Sequence, residues 1–264
     1  MESPKIDYIQ SKDNKTIKHI ISLQQRKYRQ KFGEYTVEGI RAVTDIGKKH
    51  FLRSILIRES KRSELEPLVQ KGFTVSSVYV VQDPIFDKIE HSVNGQGILG
   101  IAKKCVNDLH SLIVEDGLYI ALDGVQDPGN LGTIIRTAVA AGAKGIFLLK
   151  GTVDPYNEKC IRSTMSALCN IPIFEEVTLS EFYDFIKDNT IKTYVTSLEN
   201  AKPYHTISYP KRTMIILGNE GNGVSREIIE MCDQAITIPM YGDIESLNVS
   251  IAAALCMYKV REQI

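Results

Sequence analysis

No stretch of this 264-residue chain approaches the ~20 consecutive apolar residues that a membrane-spanning helix needs. The opening residues, Met1-Glu-Ser-Pro-Lys-Ile-Asp7, carry no apolar leader. The expectation is therefore a cytoplasmic protein with no membrane partner. Cysteines are few, odd in number and far apart, at Cys105, Cys160, Cys169, Cys232 and Cys256. With no Cys-x-x-Cys and no close Cys/His cluster, a zinc site is not expected, and the thiols read as reduced and mostly buried. The histidines, His19, His50, His91, His110 and His205, stand beside no nucleophile turn, which removes support for a Ser-His-Asp hydrolase. The first strand of the second half is not followed by Gly-x-Gly-x-x-Gly, and no Gly-Lys-Ser/Thr occurs. A nicotinamide enzyme and a P-loop NTPase are thereby demoted. Internal repeats and low-complexity tracts are absent as well.

The composition present is that of a soluble globular protein, with 43% hydrophobic and 24% charged residues. Net charge is zero but unevenly placed. Positions 1–62 hold 15 Lys and Arg against 7 Asp and Glu, and the remainder holds 17 against 25. A basic segment on a neutral protein fits local contact with a polyanion, and it equally fits a solvated helix surface.

Periodicity divides the chain. Asn14 to Leu23 is helix-like, with Ile17, Ile20, Ile21 and Leu23 at helical spacing. The basic run Gln24-Gln-Arg-Lys-Tyr-Arg-Gln-Lys-Phe-Gly33 follows. Tyr35–Val37 reads as strand, Glu38 to Lys49 as helix, Phe51 to Ile57 as strand, Ser63 to Lys71 as helix and Thr74 to Val81 as extended. Pro84 to His91 reads as a short helix before the turn Asn94-Gly-Gln-Gly97, and Ile98 to Ala102 closes a small α/β module. The expected division is 1–104, a linker at 105–117, and 118–264. In the last part, strands are expected at Leu118–Leu122, Gly145–Leu149, Pro172–Phe174, Lys192–Thr196, Thr213–Leu217 and Ala235–Ile238. Helices are expected at Leu131–Ala141, Lys159–Cys169, Leu179–Lys187, Arg226–Met231 and Leu247–Arg261. Short apolar strands alternating with helices predict a parallel sheet covered on both faces.

Three strand-to-helix junctions carry the chemistry: Asn130-Leu-Gly-Thr-Ile-Ile-Arg136-Thr-Ala138, Leu217-Gly-Asn-Glu-Gly-Asn-Gly-Val-Ser225 and Ile238-Pro-Met-Tyr-Gly-Asp-Ile-Glu-Ser-Leu-Asn-Val-Ser250. Loops of this composition sit at one edge of a parallel sheet and let backbone approach a ligand. In the first, Asn130 suits an N-cap and Leu131, Ile134, Ile135 and Ala138 form a buried stripe. Arg136 lies off that stripe, either as a surface arginine in a salt bridge or pointing into the edge crevice. In the second, three glycines in six positions free several amides, and Glu220 sits among them, an odd place for a purely structural carboxylate. Ser225 suits the next N-cap. In the third, Ser246 suits an N-cap, and Leu247, Ile251, Leu255 and Tyr258 continue an apolar helical face. Capping and ligand contact are compatible roles for Ser246.

These three stretches, in this order, resemble the three motifs of the SpoU family of RNA ribose 2′-O-methyltransferases, in the SPOUT superfamily, over roughly Leu118 to Arg261. Arg162-Ser-Thr-Met-Ser-Ala-Leu168 between them is similar to the family too. The basic first segment with Tyr35-Thr-Val-Glu-Gly39 resembles the ribosomal-protein-like RNA-binding module that many members carry. The positions Asn130, Arg136, Asn219, Glu220, Ser246 and Asn248 all match.

The resemblance implies an α/β fold with a parallel-sheet C-terminal domain tied in a deep trefoil knot, a homodimer joined through that domain, and an active site near the subunit interface. It implies S-adenosylmethionine as cofactor, no metal, and a ribose 2′-hydroxyl of structured RNA as acceptor. Ribosomal RNA is favoured over transfer RNA by the discrete N-terminal module. Arg136 would be the catalytic arginine, contacting phosphate and developing oxyanion; as a base it is disfavoured, because it stays protonated up to a pKa above ~12. Asn130 and Glu220 would hold Arg136 and the RNA in register, with Ser246 and Asn248 lining the same pocket. Gly218, Asn219, Gly221, Ile238, Met240 and Leu247 would cradle the cofactor, and Thr196 and Ser197 would touch its methionine or ribose part. RNA contact is expected from Arg26, Lys27, Arg29, Lys31 and Arg41. Tyr28 or Tyr35 either stacks on an unpaired base or packs in the module's own core. Two competing expectations are an enzyme of the superfamily that modifies a base nitrogen and a noncatalytic RNA-binding assembly factor.

Overall fold

The computed structural model describes residues 5–49, 51–69, 75–92 and 95–264. The chain divides into two compact units, Met1–Cys105 with Tyr156–Cys169, and Val106–Pro155 with Asn170–Ile264.

The first unit runs β1 (Lys5–Ile9), α1 (Lys15–Leu23), α2 (Arg26–Phe32), β2 (Glu34–Glu38), α3 (Ile40–Lys48), β3 (Leu52–Arg58), a 3-10 turn, α4 (Leu65–Val69), β4 (Ser77–Val81), α5 (Asp83–Phe86) and β5 (Ile98–Lys103). Its five-stranded sheet has the order β1-β4-β3-β5-β2. β1, β4 and β3 are parallel, while β5 runs antiparallel to both β3 and β2. α1 starts where Asn14 accepts the Thr16 amide at 2.8 Å, and its 3.6-residue stripe buries Ile17, Ile20 and Leu23. Those residues join Ile9, Leu56, Phe86, Ile89 and Leu99 in one core.

The second unit contains β6 (Gly117–Leu122), α6 (Pro128–Ala140) and β7 (Gly145–Leu149). The chain then contributes α7 (Glu158–Thr164) to the first unit before β8 (Ile173–Val177), α8 (Leu179–Asp188), β9 (Lys192–Thr196), β10 (Lys202–Pro203), β11 (Arg212–Leu217), α9 (Arg226–Met231), β12 (Gln234–Thr237) and α10 (Val249–Arg261). The sheet is wholly parallel, in the order β10-β12-β9-β11-β6-β7-β8. Every residue of β6 and β7 is buried, as expected for strands covered on both faces. Phe147 centres the core, with ring centroids 4.7 Å from Phe185 and 5.0 Å from Phe174.

β11 lies between β6 and β9, although both precede it in sequence. The C-terminal ends of β6, β11, β9 and β12 therefore stand side by side, and the strand order reverses direction at β6. Ligand sites of parallel sheets form at such switch points.

Several expectations shift. α2, β1 and β10 were not anticipated from the periodicity. The helix expected to reach Cys169 ends at Thr164, because Met165 and Ser166 turn left-handed at φ 49° and 72°. The reach of the fourth helix to Lys71, the strand start at Thr74 and the turn residue Asn94 lie outside the described residues. No helix among the described residues is long and apolar enough to cross a membrane.

Candidate active site

α6 begins earlier than the sequence suggests. Asp127, not Asn130, is the N-cap, accepting the Asn130 amide at 2.8 Å, and Pro128 opens the helix. Proline at the first helical position lacks an N–H that would be unsatisfied anyway, so Asp-Pro is the stronger start signal. This moves Asn130 into the first turn and releases its side chain. α10 shows the same offset: Asn248, not Ser246, caps it, accepting Ser250 N at 2.9 Å and Ser250 Oγ at 2.6 Å. Ser225 occupies the N-cap position of α9 without a side-chain cap bond.

The freed amides meet. Asn248 Nδ2 donates to Asn130 Oδ1 at 3.0 Å, and Asn130 Nδ2 donates to Glu220 Oε1 at 3.0 Å. Glu220 also accepts the backbone amides of Asp127 and Gln126, each at 3.1 Å. The polarity of this chain is forced: an ionised carboxylate only accepts, so Asn130 must offer it the NH2 and leave its oxygen for Asn248. One relay of hydrogen bonds thus spans the loops after β6, β11 and β12. Burial pushes the Glu220 carboxyl upward, but hydrogen bonds from Asn130, Gln126 and Asp127 outweigh it and hold the group below the usual carboxylate range.

The glycine-rich loop is built around Asn219. Its backbone pairs with Gly223 in both directions, its Oδ1 accepts the amides of Gly221 and Asn222 at 2.9 and 3.0 Å, and its Nδ2 donates to the Gly124 carbonyl at 2.8 Å. Gly218 is required by close approach. A Cβ there would stand 2.1 Å from the Gly223 carbonyl carbon and 2.2 Å from Val224 N. Asp123, which the sequence reading passed over, receives the Ser225 amide at 2.7 Å and fastens the far end of the same loop to β6.

A cavity of about 370 Å³ is lined by Ile238, Met240 and Leu247, together with Tyr204, His205, Pro239, Tyr241, Ile244 and Leu255. Three of the expected cofactor residues therefore share one wall. Tyr204 and His205 come from a connection without periodic pattern, and no sequence signal marked them. Thr196 and Ser197 end β9, where Thr196 Oγ1 donates to the Ile216 carbonyl at 3.3 Å and Ser197 N to the Ile236 carbonyl at 3.0 Å.

The Arg136 side chain is exposed and makes no hydrogen bond or ion pair with any described residue. Among the described residues the salt-bridge alternative is not realised, and no bond joins Arg136 to Asn130 or Glu220. Ser246 is likewise exposed and outside the relay.

In the first unit, Arg26, Lys27, Lys31 and Arg41 are exposed. Lys27 and Lys31 lie over the Tyr28 and Phe32 rings, 4.8 and 5.5 Å from the centroids. Arg29 departs from that group. It is buried, and its Nη1 donates to the Leu23 and Gln24 carbonyls, both at 2.8 Å, satisfying the C-terminal end of α1. Tyr35 is fully buried, its ring 4.8 Å from that of Tyr156, which decides for core packing over base stacking.

Known proteins resemble this chain in sequence and in fold. The profile of the SpoU rRNA Methylase family matches residues 117–258, and that of the MRM3-like substrate binding domain matches residues 14–100. The chain is 33% identical to the Bacillus subtilis (strain 168) 23S rRNA (guanosine(2553)-2′-O)-methyltransferase RlmP, over 96% of this chain and 98% of that protein. The crystal structure of an AdoMet-bound rRNA methyltransferase from Sinorhizobium meliloti superposes with a TM-score of 0.87 at 29% identity, covering 97% of this chain and 98% of that one. An RNA 2′-O ribose methyltransferase structure superposes with a TM-score of 0.82 at 26% identity, covering 97% and 99%.

Proposed function

The chain belongs to the SpoU rRNA methylase family, and from that premise we infer that it transfers a methyl group from S-adenosylmethionine to a ribose 2′-hydroxyl of ribosomal RNA. The observation that carries this reading is the Asn248–Asn130–Glu220 relay, which draws the three family motifs to one edge of the parallel sheet.

The residues present fit the donor. A cavity of about 370 Å³ falls within the ~300–1,000 Å³ of small-molecule sites. Its walls are largely apolar, and residues 238–248 lie outside any strand or helix, so their amides and carbonyls are not committed to a ladder. Ile238, Met240 and Leu247 would hold the adenosine part, and Gly218, Asn219 and Gly221 would bring backbone close beside it. Thr196 and Ser197 would face its ribose or methionine part. When bound, the donor supplies an electrophilic sulfonium methyl.

The protein's own groups position and stabilise. Arg136 contacts the phosphate next to the target ribose and the negative charge that grows on the 2′-oxygen. As a permanent cation it does not take the proton; a phosphate oxygen is the better acceptor. Asn130 and Glu220 keep the first and second motifs in register, and Asn248 and Ser246 line the same rim. Holding the acceptor in line supplies several kcal/mol, on the order expected of good orientation. In the first module Arg26, Lys27, Lys31 and Arg41 neutralise phosphates.

The working form is a homodimer through the C-terminal domain. Its support is the stripe Ile251, Leu255 and Tyr258 at i, i+4 and i+7 on α10, which is 51%, 38% and 50% exposed. The opposite face buries Ala253, Cys256, Met257 and Val260. A trefoil knot belongs to the same proposal; the placing of β11 between β6 and β9 supports it. The deciding experiment incubates the protein with isotopically labelled S-adenosylmethionine and total RNA from a strain lacking the gene, then maps the label. Methylated ribose in ribosomal RNA is expected. Label on a base, label only in transfer RNA, or no transfer by a folded protein overturns the reading in part or whole.

A further inference from the structure

Apart from the site above, the first unit brings two thiols together. Cys105 Sγ and Cys169 Sγ are 2.7 Å apart, and neither is in a disulfide. The chain holds both backbones in place. The Tyr156 hydroxyl accepts the Cys105 amide at 3.1 Å and donates to the Cys105 carbonyl at 3.2 Å. Lys49 Nζ donates to the Cys169 carbonyl at 2.7 Å, which also sets a cation near that sulfur. The Tyr35 hydroxyl lies 3.5 Å from Cys169 Sγ. A contraction of less than ~1 Å separates this arrangement from the ~2.05 Å of a disulfide.

We propose that Cys105 and Cys169 form a thiol–disulfide exchange site, which low-molecular-weight disulfides oxidise to an intramolecular bridge within the first unit. The roles of the two sulfurs differ. The Cys105 thiol donates to Cys169, burial opposes ionisation, and Tyr35 and Lys49 add support, so the Cys169 thiol is lowered to about 7. Cys105, as the donor, is raised instead. Cys169 is therefore the attacking thiolate. It attacks one sulfur of the external disulfide and expels the first thiolate. Cys105 then gives up its proton, attacks Cys169 Sγ and expels the second. One external S–S bond breaks and one internal S–S bond forms. Two electrons pass to the external disulfide, which leaves as two thiols carrying the two protons. Pinned backbones favour this ring closure over a lasting mixed disulfide. The other thiols compete poorly: Cys160 and Cys256 are buried, and burial pushes Cys232 and Cys256 up to about 12. The bridge would join the two points where the chain leaves the first unit, since Cys105 precedes Val106 and Cys169 precedes Asn170.

The test exposes reduced full-length protein to oxidised glutathione and reads intact mass and the unreduced peptide map. The expected product is lighter by two hydrogen atoms, retains no glutathione, yields a Cys105–Cys169 cross-linked peptide and reverts with dithiothreitol. Cys105→Ala should keep one glutathione on Cys169. Cys169→Ala should react at Cys105 at least ~10-fold more slowly. An unchanged mass, a cross-link between other cysteines, or equal rates in the two variants overturns the proposal. If either variant fails to fold, the peptide map of the unaltered protein decides alone.

Discussion

Arg136 reaches solvent from the third turn of α6 with no carboxylate among the described residues to hold it, so its charge is available to a polyanion. Replacing it with alanine should lower methyl transfer by ~10²–10³-fold, the usual cost of one charge-stabilising donor. Donor affinity measured by calorimetry should stay near that of the unaltered protein. Near-normal turnover by a folded R136A protein would remove Arg136 from the chemistry. Gly218 makes the opposite kind of demand, for space. The atoms that a methyl group would strike belong to the Gly223 and Val224 backbone, which cannot rotate away. Gly218→Ala should open the loop, lower stability by ~1–3 kcal/mol and weaken donor binding by more than ~10-fold. Unchanged calorimetric affinity would show that the loop tolerates the opening and that Gly218 is not part of the cradle. Arg29 shows why charge alone misleads. Its position in a basic run suggested phosphate contact, yet the Leu23 and Gln24 carbonyls at the end of α1, both at 2.8 Å, use its guanidinium.

Junctions between elements explain the cohesion of the site. Glu220 fastens the loop after β11 to the start of α6 through three donors. Its folded pKa is depressed, so its stabilisation is fully present above the unfolded value of ~4.3 and is lost as pH falls through the folded value. Glu220→Gln should therefore melt lower than the unaltered protein at pH 7, by the equivalent of ~1 kcal/mol at this exposed position. The gap should close as pH drops below ~4. A gap independent of pH would mean that the charge is irrelevant. The same junctions show what the sequence could disclose. β7 and β9 are legible to the residue because their apolar runs end in turn residues. β1 was missed because it lies at the sheet edge, where Ile6 and Tyr8 are exposed and the burial pattern that marks a strand fades. The two helix starts were misplaced because side chains that suit a cap, Asn130 and Ser246, lie within three residues of the ones used. The motif loops were legible from their glycines and asparagines. The Tyr204–His205 wall of the cavity was not, because tertiary folding alone brings it there.

For the whole molecule, the excess of positive charge lies in the first 62 residues and the excess of negative charge in the remainder, a distribution that fits the phosphate contacts proposed for Arg26, Lys27, Lys31 and Arg41. The exposed stripe of α10 gives a prediction at this scale. Leu255→Arg should convert a dimer to a monomer in light scattering while the far-ultraviolet circular dichroism is retained. A monomeric unaltered protein at the same concentration would end the dimer proposal. The placing of β11 has one more consequence. While the protein is being translated, β6 and β9 both emerge without the strand that will join them, so each presents a raw hydrogen-bonding edge. At the ~5–20 residues per second of synthesis, the interval from Leu122 to Leu217 lasts on the order of 10 s. During that time the nascent chain carries two unpaired strand edges, the feature through which chains pair with one another and aggregate.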